Sequence, residues 1–182
     1  MRFAIFGDIH ANLHALQAVL DDTRDQGCTH SICMGDIVGY NAFPKECLAI
    51  VRELDCPTVM GNHDEQVSMD STQEGLNPLA EEALDWTRNH LDDSEKKWLS
   101  GLRFQRLVRD FTIVHATLDT PHKWGYVTTA LDAAASFTYQ HTTLCFIGHT
   151  HRPVVYVRDG SVSLQPFETF QIAKNKKYLI NV

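Results

Sequence analysis

Short apolar runs recur along this chain, and most of them end in Gly followed by a polar residue. Arg2–Phe6, Ser31–Met34, Thr58–Met60, Phe111–Val114 and Leu144–Ile147 each have the apolar density of a buried strand. Helical stripes separate the first three. Asn12–Gln26 sets Leu13, Leu16, Val19 and Leu20 on one face, with Gly27 placed to end it. Pro44–Leu54 opens on Pro in its first turn and aligns Leu48, Val51 and Leu54. Such strand–helix alternation demands crossover connections, and so a sheet that begins parallel. Asn77–Leu102 reads as two helices, the second with acidic residues in its first turn, as the helix dipole prefers. Past Thr150 the pattern changes to a hairpin turning at Asp159-Gly160 and a last strand in KYLINV, an antiparallel end. The expected fold class is α/β, with mixed sheets flanked by helices in a single domain spanning 1–182.

The composition permits this and excludes other classes. Of 182 residues, 43% are hydrophobic and 21% charged, which rules out disorder and leaves enough apolar side chain for a core without disulfides. No apolar run approaches the roughly 18–20 residues of a membrane span, and MRFAIFGDIH is interrupted too early for a secretory leader. Five cysteines form no CxxC motif and read as reduced core thiols, so a cytoplasmic setting is expected. The net charge of −7 repels phosphate backbones and argues against non-specific nucleic-acid binding. Bound cations would reverse that sign locally.

The polar residues that follow the strands carry the chemistry. RFAIF leads to Gly7-Asp8-Ile9-His10, SICM to Gly35-Asp36, TVM to Gly61-Asn62-His63-Asp64, FTIV to His115, and LCFI to Gly148-His149-Thr150-His151. Loops at the carboxyl ends of α/β strands open the crevice in which ligands bind. The donors Asp8, His10, Asp36, Asn62, His115, His149 and His151 offer imidazole nitrogen with carboxylate and amide oxygen, and no thiolate. That mixture suits Mn, Fe, Zn, Co or Ni rather than an iron–sulfur cluster or an all-oxygen calcium cage. Seven donors exceed the needs of one ion and suit two ions sharing a carboxylate. Four positive charges, less two from aspartate and one from a bridging hydroxide, leave a residual positive charge that suits an anionic phosphate ester.

GDIH, GDIVGY, GNHD, a lone strand-end His and GHTH, in that order, resemble the calcineurin-like metallophosphoesterase superfamily. GDIHANLHAL, GDIVGYNAFP and NPLAEEALDWTRNHL are similar to a bacterial phosphodiesterase-like subgroup of it. The resemblance spans the chain and implies a four-layer α/β/β/α sandwich of mixed sheets with a dinuclear site at the sheet edge. It implies that Asp8, His10, Asp36 and His151 hold one metal, that Asp36, Asn62, His115 and His149 hold the other, and that Asp36 bridges. His63 matches the family's catalytic histidine. The implied activity is hydrolysis of a phosphodiester or phosphomonoester of a small molecule or nucleotide by a hydroxide activated between two divalent ions. The chain departs from the family in three places, one being the loop after His115, where the subgroup often has a small residue and Pro and Ala116–Pro121 here is longer. Gly39 and Tyr40 stand where the protein Ser/Thr phosphatase branch has Asp and Arg, which argues against that branch. Such chains usually continue into more strands beyond a final Asn-Val, so the second sheet is expected to lack C-terminal strands.

Other readings compete with this one. A phosphoesterase fold used as a catalytically weak binding scaffold is the first alternative, and a nuclease is the second, disfavoured by the absence of a basic stripe. Residue by residue, Asn12 caps a helix or touches phosphate, with the cap favoured. Asp64 opens a helix or supports the ligands behind it. Tyr40 lines a cleft or fills core. His14, His30, His90 and His141 fall off the motifs, His122 and Lys123 read as a solvated loop, and Trp86 and Trp98 read as core.

Overall fold

The structure, a computed structural model, describes residues 1–69 and 77–182. It comprises two compact units, Met1–Arg103 and Phe104–Val182. Among the described residues no helix is long and apolar enough to cross a membrane.

The first unit is strand–helix alternation followed by helices. β1 (Phe3–Phe6) and β2 (His30–Cys33) pair in parallel, in register from Phe3↔His30 to Phe6↔Cys33. Helix α1 (Leu13–Asp25) makes the crossover. Its cap is Asn12, whose Oδ1 accepts from the Ala15 N–H at 3.1 Å, which decides that residue in favour of the cap. Helix α2 (Pro44–Glu53) opens on Pro44 as expected. The anticipated third strand, Thr58–Met60, is reduced to isolated parallel bridges, Cys33↔Thr58 and Val59↔Arg103. Pro57, which has no N–H to give a ladder, precedes this three-residue run and Gly61 follows it. Helices α3 (Asn62–Ser68), α4 (Pro78–His90) and α5 (Asp93–Ser100) complete the unit. In α5, Asp92 accepts from the Glu95 N–H at 2.9 Å and Glu95 accepts from the Asp92 N–H at 2.8 Å. The core is built from Leu16, Ile37, Leu48, Val51, Leu84 and Leu99, contributed by most of these elements. Trp98 packs against it, but Trp86 is 40% exposed and lies on His90, contrary to its expected core role.

The second unit is a six-stranded mixed sheet. Its strands are β3 (Gln105–Val108), β4 (Phe111–Val114), β5 (Leu144–Ile147), β6 (Val154–Asp159), β7 (Ser161–Gln165) and β8 (Lys177–Asn181), in spatial order β3-β4-β5-β8-β6-β7. The hairpin turns at Gly160 as the sequence indicates. The chain's end is not purely antiparallel, because β8 inserts between β5 and β6, parallel to the first and antiparallel to the second. Side chains alternate across this sheet with period two. Cys145, Ile147, Tyr156 and Leu179 join Ala133 and Phe137 of helix α6 (Ala130–Tyr139) in one cluster. Leu144, Phe146, Val155, Val157, Tyr178 and Ile180 form another on the opposite face.

Candidate metal centre

In the first unit the parallel register brings the loops after β1 and β2 side by side. Asp8 N donates to Gly35 O at 3.0 Å, His10 N to Asp36 O at 2.8 Å and Ala11 N to Ile37 O at 2.9 Å. Each loop therefore holds the other. Donor atoms of His10, Asp36 and His63 lie within 4.8 Å of one another, and all three residues are buried. His10 Nε2 is 3.6 Å from Asp36 Oδ2, and the His10 and His63 rings meet edge-on at 4.6 Å. His10 Nδ1 lies 3.4 Å from Val38 O. A proton on that nitrogen leaves Nε2 as the ligating atom, the usual division of labour in a metal-binding imidazole. Asp36 Oδ1 also accepts from the His63 N–H at 2.8 Å, so one carboxylate orients the start of α3.

Asp64 explains how the third loop is fixed. Its carboxylate is fully buried, and Oδ1 accepts from Ile37 N at 2.9 Å and Val38 N at 3.3 Å while Oδ2 accepts from Gly61 N at 3.1 Å. Both readings of this residue hold, since it sits in the first turn of α3 and ties the GDIV loop to the GNHD loop. Gly61 is sterically required, because a Cβ there would run into the Asp36 carboxylate, and one at Gly39 would run into the His63 ring. Asn41, which sequence reasoning missed, donates from Nδ2 to His10 O at 2.8 Å. Tyr40 is not core: it is 52% exposed, with its ring 4.4 Å from His63 and 4.8 Å from His10.

In the second unit, β4 and β5 run parallel and deliver His115 and His149 together. Gly148 N donates to His115 O at 2.8 Å, and the two imidazoles are 5.1 Å apart. His115 is wholly buried and His149 nearly so, whereas His151 is exposed. His149 Nε2 is 2.9 Å from Trp124 O, which leaves Nδ1 to ligate. Tyr126 stacks on His149 at 4.1 Å and 19°, and Trp124 lies edge-on to His115 at 5.9 Å. Asn181, fully buried on β8, donates to the Thr150 hydroxyl inside GHTH at 2.7 Å. Of His122 and Lys123, both are exposed, as are His14, His30, His90 and His141.

Five of the expected ligands adopt left-handed backbone: Asp8 (φ 49), His10 (φ 48), Asp36 (φ 50), His149 (φ 69) and His151 (φ 54). Non-glycine residues seldom sit there, and they cluster at functional sites when they do. The donors fit a divalent transition metal on two further grounds. Asn62 Oδ1 is buried with no hydrogen-bond partner among the described residues, an arrangement that an oxygen-ligated cation would satisfy. All five cysteines are unpaired, and burial pushes the thiols of Cys33 and Cys145 up, and that of Cys47 up to about 12, so they remain neutral core groups rather than thiolate ligands.

A sequence model of the calcineurin-like phosphoesterase superfamily domain matches residues 1–180. The chain belongs to that superfamily. An uncharacterized protein of Methanocaldococcus jannaschii is 33% identical over 182 residues, covering 98% of this chain and 73% of that protein. Among solved structures, a metallophosphoesterase from Sphaerobacter thermophilus matches with TM-score 0.85 and 34% identity, over 100% of this chain and 75% of the other. A hypothetical protein from Pyrococcus horikoshii shares the fold alone, with TM-score 0.77 and 14% identity over 98% of this chain and 75% of its own. The mixed α/β architecture of this phosphoesterase is therefore that of its family, and phosphoester hydrolysis is its class of chemistry.

Proposed function

We propose that this chain hydrolyses a phosphate ester of a small molecule or nucleotide at a centre of two divalent transition-metal ions, drawn from Mn, Fe, Zn, Co and Ni. Asp8, His10, Asp36 and His151 would hold one ion; Asp36, Asn62, His115 and His149 would hold the other, with Asp36 shared. The two units then act as one catalytic domain over 1–182, and the five unpaired thiols suit a cytoplasmic setting. The observation that carries the reading is the gathering of buried His10, Asp36 and His63 donor atoms within 4.8 Å, the first two from the loops after parallel strands β1 and β2 and the third from the first turn of α3. Bound cations supply Lewis acidity to the phosphate oxygens and lower the pKa of water at the site to roughly 7.

The protein's own groups do the rest. His63 is not needed as a ligand, and it is the group available to bind a phosphate oxygen and give a proton to the leaving oxygen. Its backbone is pinned by Asp36 and its ring is flanked by Tyr40 and His10, so little orientational freedom is left to lose on reaction. His10, Asp36 and His63 are buried, and charges in such a low-dielectric setting interact more strongly than in water.

The test is turnover of bis-p-nitrophenyl phosphate with Mn²⁺. Asp36→Asn and His63→Ala, each shown to be folded by circular dichroism, are expected to lose about 100-fold or more in kcat. Unchanged rates in both variants would overturn the assignment.

A further inference from the structure

Of the chain's five tyrosines, two are buried and three are exposed: Tyr40, Tyr126 and Tyr139. Two of those three lie on histidines of the candidate centre. Tyr126 is the more telling. One face of its ring covers His149 at 4.1 Å and 19°, yet the residue is 61% exposed, so the other face meets solvent. Its hydroxyl makes no hydrogen bond among the described residues.

An exposed aromatic on a loose loop would signify little, but this loop is held on both sides of Tyr126. Trp124, before it, accepts from His149 at 2.9 Å through its carbonyl. Val127, after it, is buried, and its carbonyl accepts from the Tyr156 hydroxyl at 3.1 Å. Thr128 N and Thr129 N both donate to Asp132 Oδ2, at 3.0 Å and 2.8 Å, at the start of α6. The ring is thus fixed in place with an apolar face in water, directly above a candidate metal ligand. Covering that face removes apolar surface from solvent, and a fixed platform loses little entropy when a ring stacks on it.

We propose that Tyr126 is a specificity-determining residue of this phosphoesterase, whose outer face receives a planar aromatic group carried by the phosphate ester, either a nucleobase or an aryl ring. The proposal rests on the phosphate being held at the centre proposed above. A substituent on that phosphate that runs over His149 toward solvent would meet the outer face of the Tyr126 ring. Stacking on an aromatic face is indifferent to which base or ring is presented, so the selection is for flat π-systems against aliphatic esters.

The test is calorimetric titration of the Mn²⁺-loaded full chain with ligand pairs that differ only in the ring. Adenosine 5′-monophosphate is compared with ribose 5-phosphate, and phenyl phosphate with ethyl phosphate. The wild type is expected to bind at least one aromatic member about tenfold tighter than its aliphatic counterpart. In Tyr126→Leu that ratio falls to near unity while the aliphatic affinities stay put, and Tyr126→Trp restores the ratio. The pair that responds tells a nucleobase from a simple aryl group. A ratio unchanged in Tyr126→Leu overturns the proposal. So does an equal loss for both members of a pair, which would make Tyr126 only a support for His149, and so does failure of the wild type to prefer either aromatic ligand. Titration needs no turnover, so failure here is separate from failure of the Asp36→Asn and His63→Ala test.

Discussion

Replacing Asp64 by Asn alters a single atom type in a fully buried side chain and tests how the GDIV and GNHD loops, two of the three that carry candidate donors in the first unit, are joined. The carboxylate accepts three backbone N–H groups, two on Oδ1 from Ile37 and Val38 and one on Oδ2 from Gly61. The amide has one acceptor oxygen. Turned to keep Ile37 and Val38, it sets its own NH₂ against the Gly61 N–H, donor against donor. One buried N–H is then unpaired, at about 1–3 kcal/mol, and the other two bonds lose charge assistance worth roughly 0.5 kcal/mol each, for a total of about 2–4 kcal/mol. Asp64→Ala strands all three donors and costs about 3–9 kcal/mol, a large share of the 5–15 kcal/mol a domain typically has. The assay is urea unfolding followed by tryptophan fluorescence. With a slope near 2 kcal/mol per molar, the Asn variant's midpoint should fall by about 1–2 M. Amide exchange should quicken first at Ile37, Val38 and Gly61. An Asn variant within about 0.5 kcal/mol of wild type, with those amides unmoved, would refute the account.

Three further expectations follow from the same contacts. Gly61→Ala forces a methyl against the Asp36 carboxylate; the fold should lose about 1–3 kcal/mol in a thermal melt while Mn²⁺ affinity and kcat fall together. Asn181→Ala removes the bond to Thr150; stability should drop by about 1–2 kcal/mol, and loss of metal affinity beyond that of Thr112→Val, a hydroxyl bonded to Thr142 outside the centre, would show that the clamp acts on GHTH. Asp132→Ala removes the N3 half of the capping box of α6, whose N-cap is Thr129. The Thr128 N–H, with help from Thr129, holds the Asp132 carboxyl below its usual range, so its contribution is present above about pH 4 and is lost as pH falls through the lower, folded value. The variant should be about 0.5–1 kcal/mol less stable at pH 7 and converge on wild type in acid melts, since the partly exposed group is screened.

The strands β1, β4 and β5, which precede candidate donors, were legible because neither of their faces is exposed, which makes them nearly continuous apolar runs. Phe111–Val114 and Leu144–Ile147 are observed with the predicted bounds. β3 was not, because QRLV is an edge strand with mostly exposed residues and no alternation to read. α6 was hidden by ALDAAASFTY, in which alanines blur the boundary between apolar and polar faces. The candidate donors were legible because each follows a run directly. Their supports were not. Asp64 reaches back 27 residues to Ile37, Asn41 reaches back 31 to His10, and Asn181 reaches back 31 to Thr150. Nothing local distinguishes such residues from ordinary caps and turns. Trp86 was misjudged toward the interior for a simpler reason, that large aromatics are buried more often than not, while Tyr40 was left open between cleft and core and proves exposed.

The positive φ angles at Asp8, His10, Asp36, His149 and His151 set two selections against each other. Glycine at any of these positions would relax the backbone by roughly 1 kcal/mol. A library screened for resistance to heat or protease should therefore drift toward glycine there, and one screened for turnover should refuse it. Positions where the two screens disagree would mark the reactive centre without any ligand in view.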